Sequence, residues 1–191
     1  MIKVFNTLKG KIEEFKPIDN QLIKVYVCGP TVYDKIHIGN ARPLVVFDVL
    51  IRLLKFIFPK VIYVRNITDV DDKINLRSIE SGISINELTK HTIKDFHEDC
   101  NYLQNITPDY EPRATEHINE MIEMIKDLIN MGFAYESSGN ILFEVEKYKG
   151  YGSLSRKSAN DLISGVRIDI AEYKKNPADF ILWKPSMDNQ P

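Results

Sequence analysis

Cys28, the turn Gly29-Pro30, and the tetrad His37-Ile38-Gly39-Asn40 are the residues of this chain whose types and spacing could do chemistry. A lone histidine is usually a hydrogen-bonded structural residue. Here it stands just ahead of a long helical pattern and just after a β-rich run, with Gly39 and Asn40 directly behind it. Helix N-termini present backbone N–H groups and a favourable field to phosphate, and a glycine lets a base or ribose approach the backbone. His37 is therefore read as functional, at a site for a nucleotide phosphate.

Cys28 ends the run Leu22–Cys28 (LIKVYVC), and open α/β sheets bind ligands at the C-terminal ends of their strands. A single buried cysteine more often serves as a small apolar residue. A thiolate here could ligate zinc, which requires at least three protein ligands. No CxxC or HxxxH pair occurs, and His91 and His97 do not share a helix face. Any partners of Cys28 on a metal must then come largely from outside this chain. Cys100 lies on a helical apolar stripe and reads as core. Asp69, Asp71 and Asp72 suggest Mg²⁺, but capping of a helix explains them as well. Ser153–Ser158 lacks the glycines of a phosphate loop and reads as an ordinary loop.

The elements that must position these residues follow from periodicity. Residues 22–28 read as a strand, closed by Gly29-Pro30. From Ile38 to Phe58 the pattern is helical and apolar on most of its surface, which predicts a buried helix packed on a sheet; Pro59 stops it. Residues 61–67 (VIYVRNI) form a second β-branched run without polar alternation, as in a central parallel strand. Strand, helix and strand make a right-handed βαβ unit. The three aspartates open another helix that Gly82 closes. Ser84 with Glu87 forms a capping box for a helix running to about Asn105. Thr107-Pro108 and Glu111-Pro112 mark a domain boundary. Beyond it Ile118, Met121, Ile122, Ile125, Leu128 and Ile129 follow one helix face, Gly132 caps that helix, and Phe133–Val145 reads as a hairpin turning at Ser137–Asn140. A short run ends at Asp179–Trp183.

With 191 residues, 43% of them hydrophobic and 27% charged, the chain has an ordinary globular composition. The net charge of −2 announces no nucleic-acid surface. Two cysteines build no disulfide framework and suit a reducing compartment. No stretch reads as a signal peptide or a membrane span, so the expectation is a cytoplasmic protein without a membrane partner.

The segment CGPTVYDKIHIGNAR (Cys28–Arg42) resembles the zinc-cysteine and HIGH-type signature of the cysteinyl-tRNA synthetase family of class I aminoacyl-tRNA ligases. Asn66–Lys73 (NITDVDDK), Glu111–Ile118 (EPRATEHI), Tyr151–Ser155 (YGSLS) and Asp179–Lys184 (DFILWK) are similar to further blocks of that family, in order. The resemblance thus covers essentially the whole chain. It implies an α/β, Rossmann-type (HUP-like) catalytic domain, a parallel sheet with flanking helices, and part of an α+β connective insertion. Residues 1–112 would be the first half of the catalytic domain, and 113–191 part of the insertion, cut short at the C-terminus. The implied reaction joins cysteine and ATP into cysteinyl-adenylate, then transfers cysteine to tRNA(Cys), in a monomer.

By the same resemblance His37 and Asn40 would be catalytic, and Pro30, His37, Gly39 and Asn40 would contact ATP, which would bring Mg²⁺ with it. Cys28, Gly29, Thr31 and Thr68 would face the substrate cysteine. Cys28 would be one ligand of a Zn²⁺ that takes the substrate thiolate and so separates it from serine. The other zinc ligands, the KMSKS loop and the anticodon-binding domain would lie past Pro191. The tetrad departs from the family pattern at Asn40, where HIGH has histidine; an amide donates a hydrogen bond but carries no charge. Two other readings remain open. One is a cysteine ligase that uses a small amine acceptor. The other, preferred for these residues alone, is a non-catalytic nucleotide-binding fragment.

Overall fold

The computed structural model describes residues 2–156 and 172–186. The loop expected at Ser153–Ser158 is therefore seen only to Arg156, and residues 187–191 of the chain's ending lie outside the described residues. The described elements are β1 (Lys3–Asn6), β2 (Lys11–Glu14), β3 (Ile23–Val27), α1 (Ile38–Ile57), β4 (Val61–Arg65), α2 (Asp72–Ser81), α3 (Ile85–Tyr102), α4 (Ile118–Asn130), β5 (Ala134–Ser137), β6 (Asn140–Phe143) and β7 (Phe180–Trp183). They fall into two compact units, Pro17–Ile118 and a second made of Met1–Lys16 with Asn119–Pro191.

Pro17–Ile118 contains the expected βαβ unit. β3 and β4 pair in parallel, from Ile23 opposite Val61 to Val27 opposite Arg65, and α1 is the crossover between them. A third extended segment runs beside β4, with Tyr110 bridging to Val64 and Arg113 to Ile67. This is the parallel sheet with flanking helices of a Rossmann-type fold. Alternate β4 residues are buried, as β-branched and aromatic side chains on a covered pleat should be. Below the sheet Val32, Leu44, Ile67, Ile74, Leu88, Ile93, Phe96 and Cys100 form one apolar cluster, joining α1, α2 and α3.

Helix α1 departs from expectation. Ala41, Leu44, Ile51 and Leu54 are buried, but Val49 is 62% and Phe56 89% exposed. The narrow sheet covers one face of the helix, so Val49 and Phe56 stand largely outside the core.

Helix α2 begins at Asp71, whose carboxylate accepts from the Lys73 N–H at 2.9 Å, and ends at Gly82 in the left-handed conformation. Ser84 caps α3 by accepting from the Glu87 N–H. Asp69, expected to favour the same helix start, does something else. It is buried and accepts from the Thr115 N–H at 2.9 Å and hydroxyl at 2.6 Å. The sequence pattern could not separate the two uses, since Thr115 lies far along the chain.

In the second unit β5 and β6 form the expected hairpin, turning through Ser138 and Gly139 with φ of 51° and 76°, the signature of a type I′ turn. β7 adds antiparallel to β6. The fastener of this small sheet is Asp179, 1% exposed. Its carboxylate accepts from the Tyr135 hydroxyl at 2.7 Å, the Val145 N–H at 3.0 Å and the Asn176 N–H at 3.1 Å. Three donors on one buried carboxylate make its loss costly. Asp179→Ala should lower the unfolding free energy by roughly 3 kcal/mol, because buried donors are left unsatisfied. Urea titration of the wild type and the variant reads this directly, and an unchanged midpoint would contradict it.

Candidate functional site

The parallel register brings the C-terminal ends of β3 and β4 side by side, and the residues that follow each strand interlock. The Gly29 N–H donates to Asn66 Oδ1 at 2.8 Å. The Thr68 N–H donates to the Pro30 carbonyl at 3.0 Å, and the Val32 N–H to the Thr68 carbonyl at 3.1 Å. Thr31 and Thr68 thereby form a parallel bridge beyond the strands. Gly29 is the tight point of this lock. A Cβ there would stand 1.6 Å from the Asn66 carbonyl oxygen, an approach no side chain permits. Cys28, Gly29, Pro30, Thr31 and Thr68 are thus brought together at the strand ends, with Cys28 exposed.

His37, Gly39 and Asn40 form a second constellation at the start of α1. His37 is the N-cap. Its Nδ1 accepts from the Gly39 N–H at 3.0 Å, while its own N–H donates to Asn40 Oδ1 at 3.1 Å, a reciprocal capping box. The Asn40 and Ala41 N–H groups turn back to the His37 carbonyl at 2.8 and 3.0 Å. The first-turn amides of Gly39, Asn40 and Ala41 are therefore already engaged. The helix start also presents the exposed imidazole and the positive end of the dipole.

The loop between the two constellations is fastened to α2 and α3. Lys73 Nζ lies 5.3 Å from the Tyr33 ring centre, Arg77 pairs with Asp34 at 3.2 Å and Lys35 with Asp95 at 3.8 Å. The two ion pairs are solvent-exposed and weak alone; the three contacts together span three successive residues. Asn66 is the residue that sequence reading missed. Within the block NITDVDDK it reads as no more than a motif position. Its signal was its place directly after a strand, with an amide able to accept and donate at once.

A separate polar cluster lies against β4. Arg65, 2% exposed, pairs with Glu111 at 2.9 Å, and Glu111 meets His97 at 2.5 Å. The Arg65 guanidinium also sits over the Phe96 ring at 4.8 Å. Arg65, His97, Glu111 and Cys100 line a cleft of about 280 Å³. Burial pushes the Cys100 thiol up, partly offset by the neighbouring Arg65. Cys100 is core, as its position on the α3 stripe predicts.

The described residues do not complete a metal centre. No group of three or more His, Cys, Asp or Glu side chains among them could hold an ion. Cys28 makes only a 3.8 Å contact to the Gly29 carbonyl. A zinc site with fewer than three protein ligands does not fit. Two of the three aspartates that suggested Mg²⁺ are already committed, Asp71 to the α2 cap and Asp69 to Thr115. Among the described residues no helix is long and apolar enough to cross a membrane.

Residues 14–191 match the family model described as the tRNA synthetases class I (C) catalytic domain. The chain is 56% identical over 192 aligned residues to a protein named cysteine–tRNA ligase from Granulibacter bethesdensis, an alignment covering 98% of this chain and 41% of that one. It is 55% identical to the protein of the same name from Paramagnetospirillum magneticum, covering 98% and 41%. For the one from Saccharophagus degradans the identity is 50%, covering 100% and 41%. The chain thus spans about 41% of the length of these relatives. Among solved structures, a putative arginyl-tRNA synthetase from Campylobacter jejuni aligns with a TM-score of 0.53 at 13% identity, over 70% of this chain and 40% of that one, a likeness of fold.

Two outcomes are expected from this geometry. Gly29→Ala should part the strand ends and cost several kcal/mol, since the clash is with backbone rather than a mobile side chain; a thermal midpoint within a degree of wild type would contradict the lock. Thiol labelling of the native chain should modify the exposed Cys28 and spare the buried Cys100 until denaturant is added. Equal labelling of both in the native state would contradict the placement.

Proposed function

The chain belongs to the class I (C) tRNA synthetase catalytic-domain family, and from that premise we propose that it carries the cysteine- and ATP-facing part of a cysteine–tRNA ligase. The observation that carries this reading is the pair of constellations at the end of β3. One set of residues there suits a small amino acid, and a helix start with an exposed imidazole suits a phosphate. In the proposed reaction the cysteine carboxylate attacks the α-phosphorus of ATP, pyrophosphate leaves, and cysteinyl-adenylate forms. The terminal ribose of tRNA(Cys) then takes the cysteine, and AMP departs.

In this reading Pro30, His37, Gly39 and Asn40 line the ATP side. His37 is the side-chain donor there, while the Gly39, Asn40 and Ala41 amides are spent within the helix start. Charge grows on the α-phosphate oxygens as the carboxylate attacks, and a donor held in place beforehand stabilises that charge without reorganising. Cys28, Gly29, Thr31 and Thr68 line the cysteine side, held in register by Asn66. Cys28 would give one thiolate to a zinc ion whose other ligands come from outside the described residues. The ligands among the described residues do not by themselves hold the metal. Mg²⁺ would arrive with the ATP phosphates.

Cysteine-dependent ATP–pyrophosphate exchange, measured on the protein containing this chain, tests the assignment. His37→Asn keeps a good N-cap residue but removes the reach of the Nε2 donor. Exchange should fall roughly 100-fold in kcat, the cost of one lost donor to a developing charge, with the ATP KM little changed. Wild-type exchange by this variant would sink the role of His37. Cys28→Ser should raise the cysteine KM steeply, and unchanged kinetics would remove Cys28 from the site. Transfer to a small amine with no dependence on tRNA would replace the tRNA ligase by the small-acceptor ligase.

A further inference from the structure

Gly39 and Asn40 do something that their assignment as ATP contacts does not require. A backbone N–H can only donate, so the 3.0 Å bond from the Gly39 amide obliges His37 Nδ1 to be an unprotonated acceptor. A neutral imidazole then carries its one proton on Nε2, the nitrogen left to the exterior. The ring can occupy this place only because residue 39 has no side chain. A Cβ there would lie 2.7 Å from Cε1 and 2.9 Å from Nδ1 of the same ring. The His37 backbone is held in turn, since its N–H donates to Asn40 Oδ1. Ring, glycine and amide close a loop of mutual contacts within four residues.

We infer that the tetrad is a preset unit in which Gly39 and Asn40 are positioning residues, holding His37 as a neutral Nε2–H donor aimed at the ligand. This rests on the reading of the α1 start as the ATP-phosphate side and deepens it. His37 serves there as an oriented hydrogen-bond donor rather than as a cation. Asn40 acts through His37, by accepting the His37 N–H, the position that Glu or Gln fills in a capping box. It follows that glutamine should replace Asn40 and that alanine should not.

The test has a structural arm needing no ligand and a kinetic arm. In the ¹⁵N-labelled chain, a ¹⁵N–¹⁵N coupling across the hydrogen bond between the Gly39 amide and His37 Nδ1 should be present. It should persist in Asn40→Gln and vanish in Asn40→Ala and Gly39→Ala. No coupling in the wild type, or full coupling in Asn40→Ala, overturns the inference. In pyrophosphate exchange by the protein containing this chain, Asn40→Ala should lower kcat about tenfold with the ATP KM unmoved, and Asn40→Gln should restore it. A raised ATP KM in both variants, with the coupling intact, would leave Asn40 an ATP contact with no hold on His37 and overturn the positioning role. If the couplings behave as expected while His37→Asn exchanges at the wild-type rate, the preset unit stands and the ATP reading falls.

Discussion

The approach of the Gly29 backbone to the Asn66 carbonyl is the constraint on which the site depends. Parallel strands have no hairpin to fix their register; it must come from side-chain pattern and from contacts at their ends. Here a glycine that tolerates no Cβ and an asparagine amide that takes its N–H lock the ends of β3 and β4 together. The bridge between Thr31 and Thr68 then follows directly. So does the starting point of the loop that delivers His37 to the head of α1. A slip of one residue would turn Thr31 and Thr68 to opposite faces and leave Cys28 facing the core.

The same economy appears at the helix start. A free helix N-terminus would offer its amides to phosphate, yet here Gly39, Asn40 and Ala41 give theirs to His37. The Gly39 donor goes to orienting the His37 ring, and the other two go to the His37 carbonyl. That exchange makes sense for catalysis of an attack on phosphorus. A donor already oriented in the ground state adds no reorganisation when charge develops. Asn40 suits this arrangement, because its amide oxygen accepts the His37 N–H and needs no charge to do so.

Much of this was legible in the sequence, and the reasons are local. The β-branched runs around Val25 and Tyr63, the cap at Ser84 and the Ser138-Gly139 hairpin turn are set by neighbours in the chain, whereas Gly29-Pro30, expected as a turn, stays unturned and the pairing runs on to Thr31. Periodicity and turn chemistry find such features. What stayed hidden was non-local. Asp69 looked like a helix-start carboxylate but ties down Thr115. Asn66 looked like one letter of a motif but clamps Gly29. Asp179 gave no sign that it satisfies three donors around Tyr135. The apolar bulk of α1 pointed to a buried helix, whereas the narrow ladder of β3 and β4 covers one face only.

The central claim is that nucleotide binds where β3 ends and α1 begins. Backbone amide shifts of the ¹⁵N-labelled chain, followed as ATP with Mg²⁺ is added, test it most directly. The account predicts perturbations concentrated at residues 28–32, 37–41 and 66–68. Shifts centred instead on Arg65, His97 and Glu111, or none at ATP concentrations in the millimolar range, would contradict it.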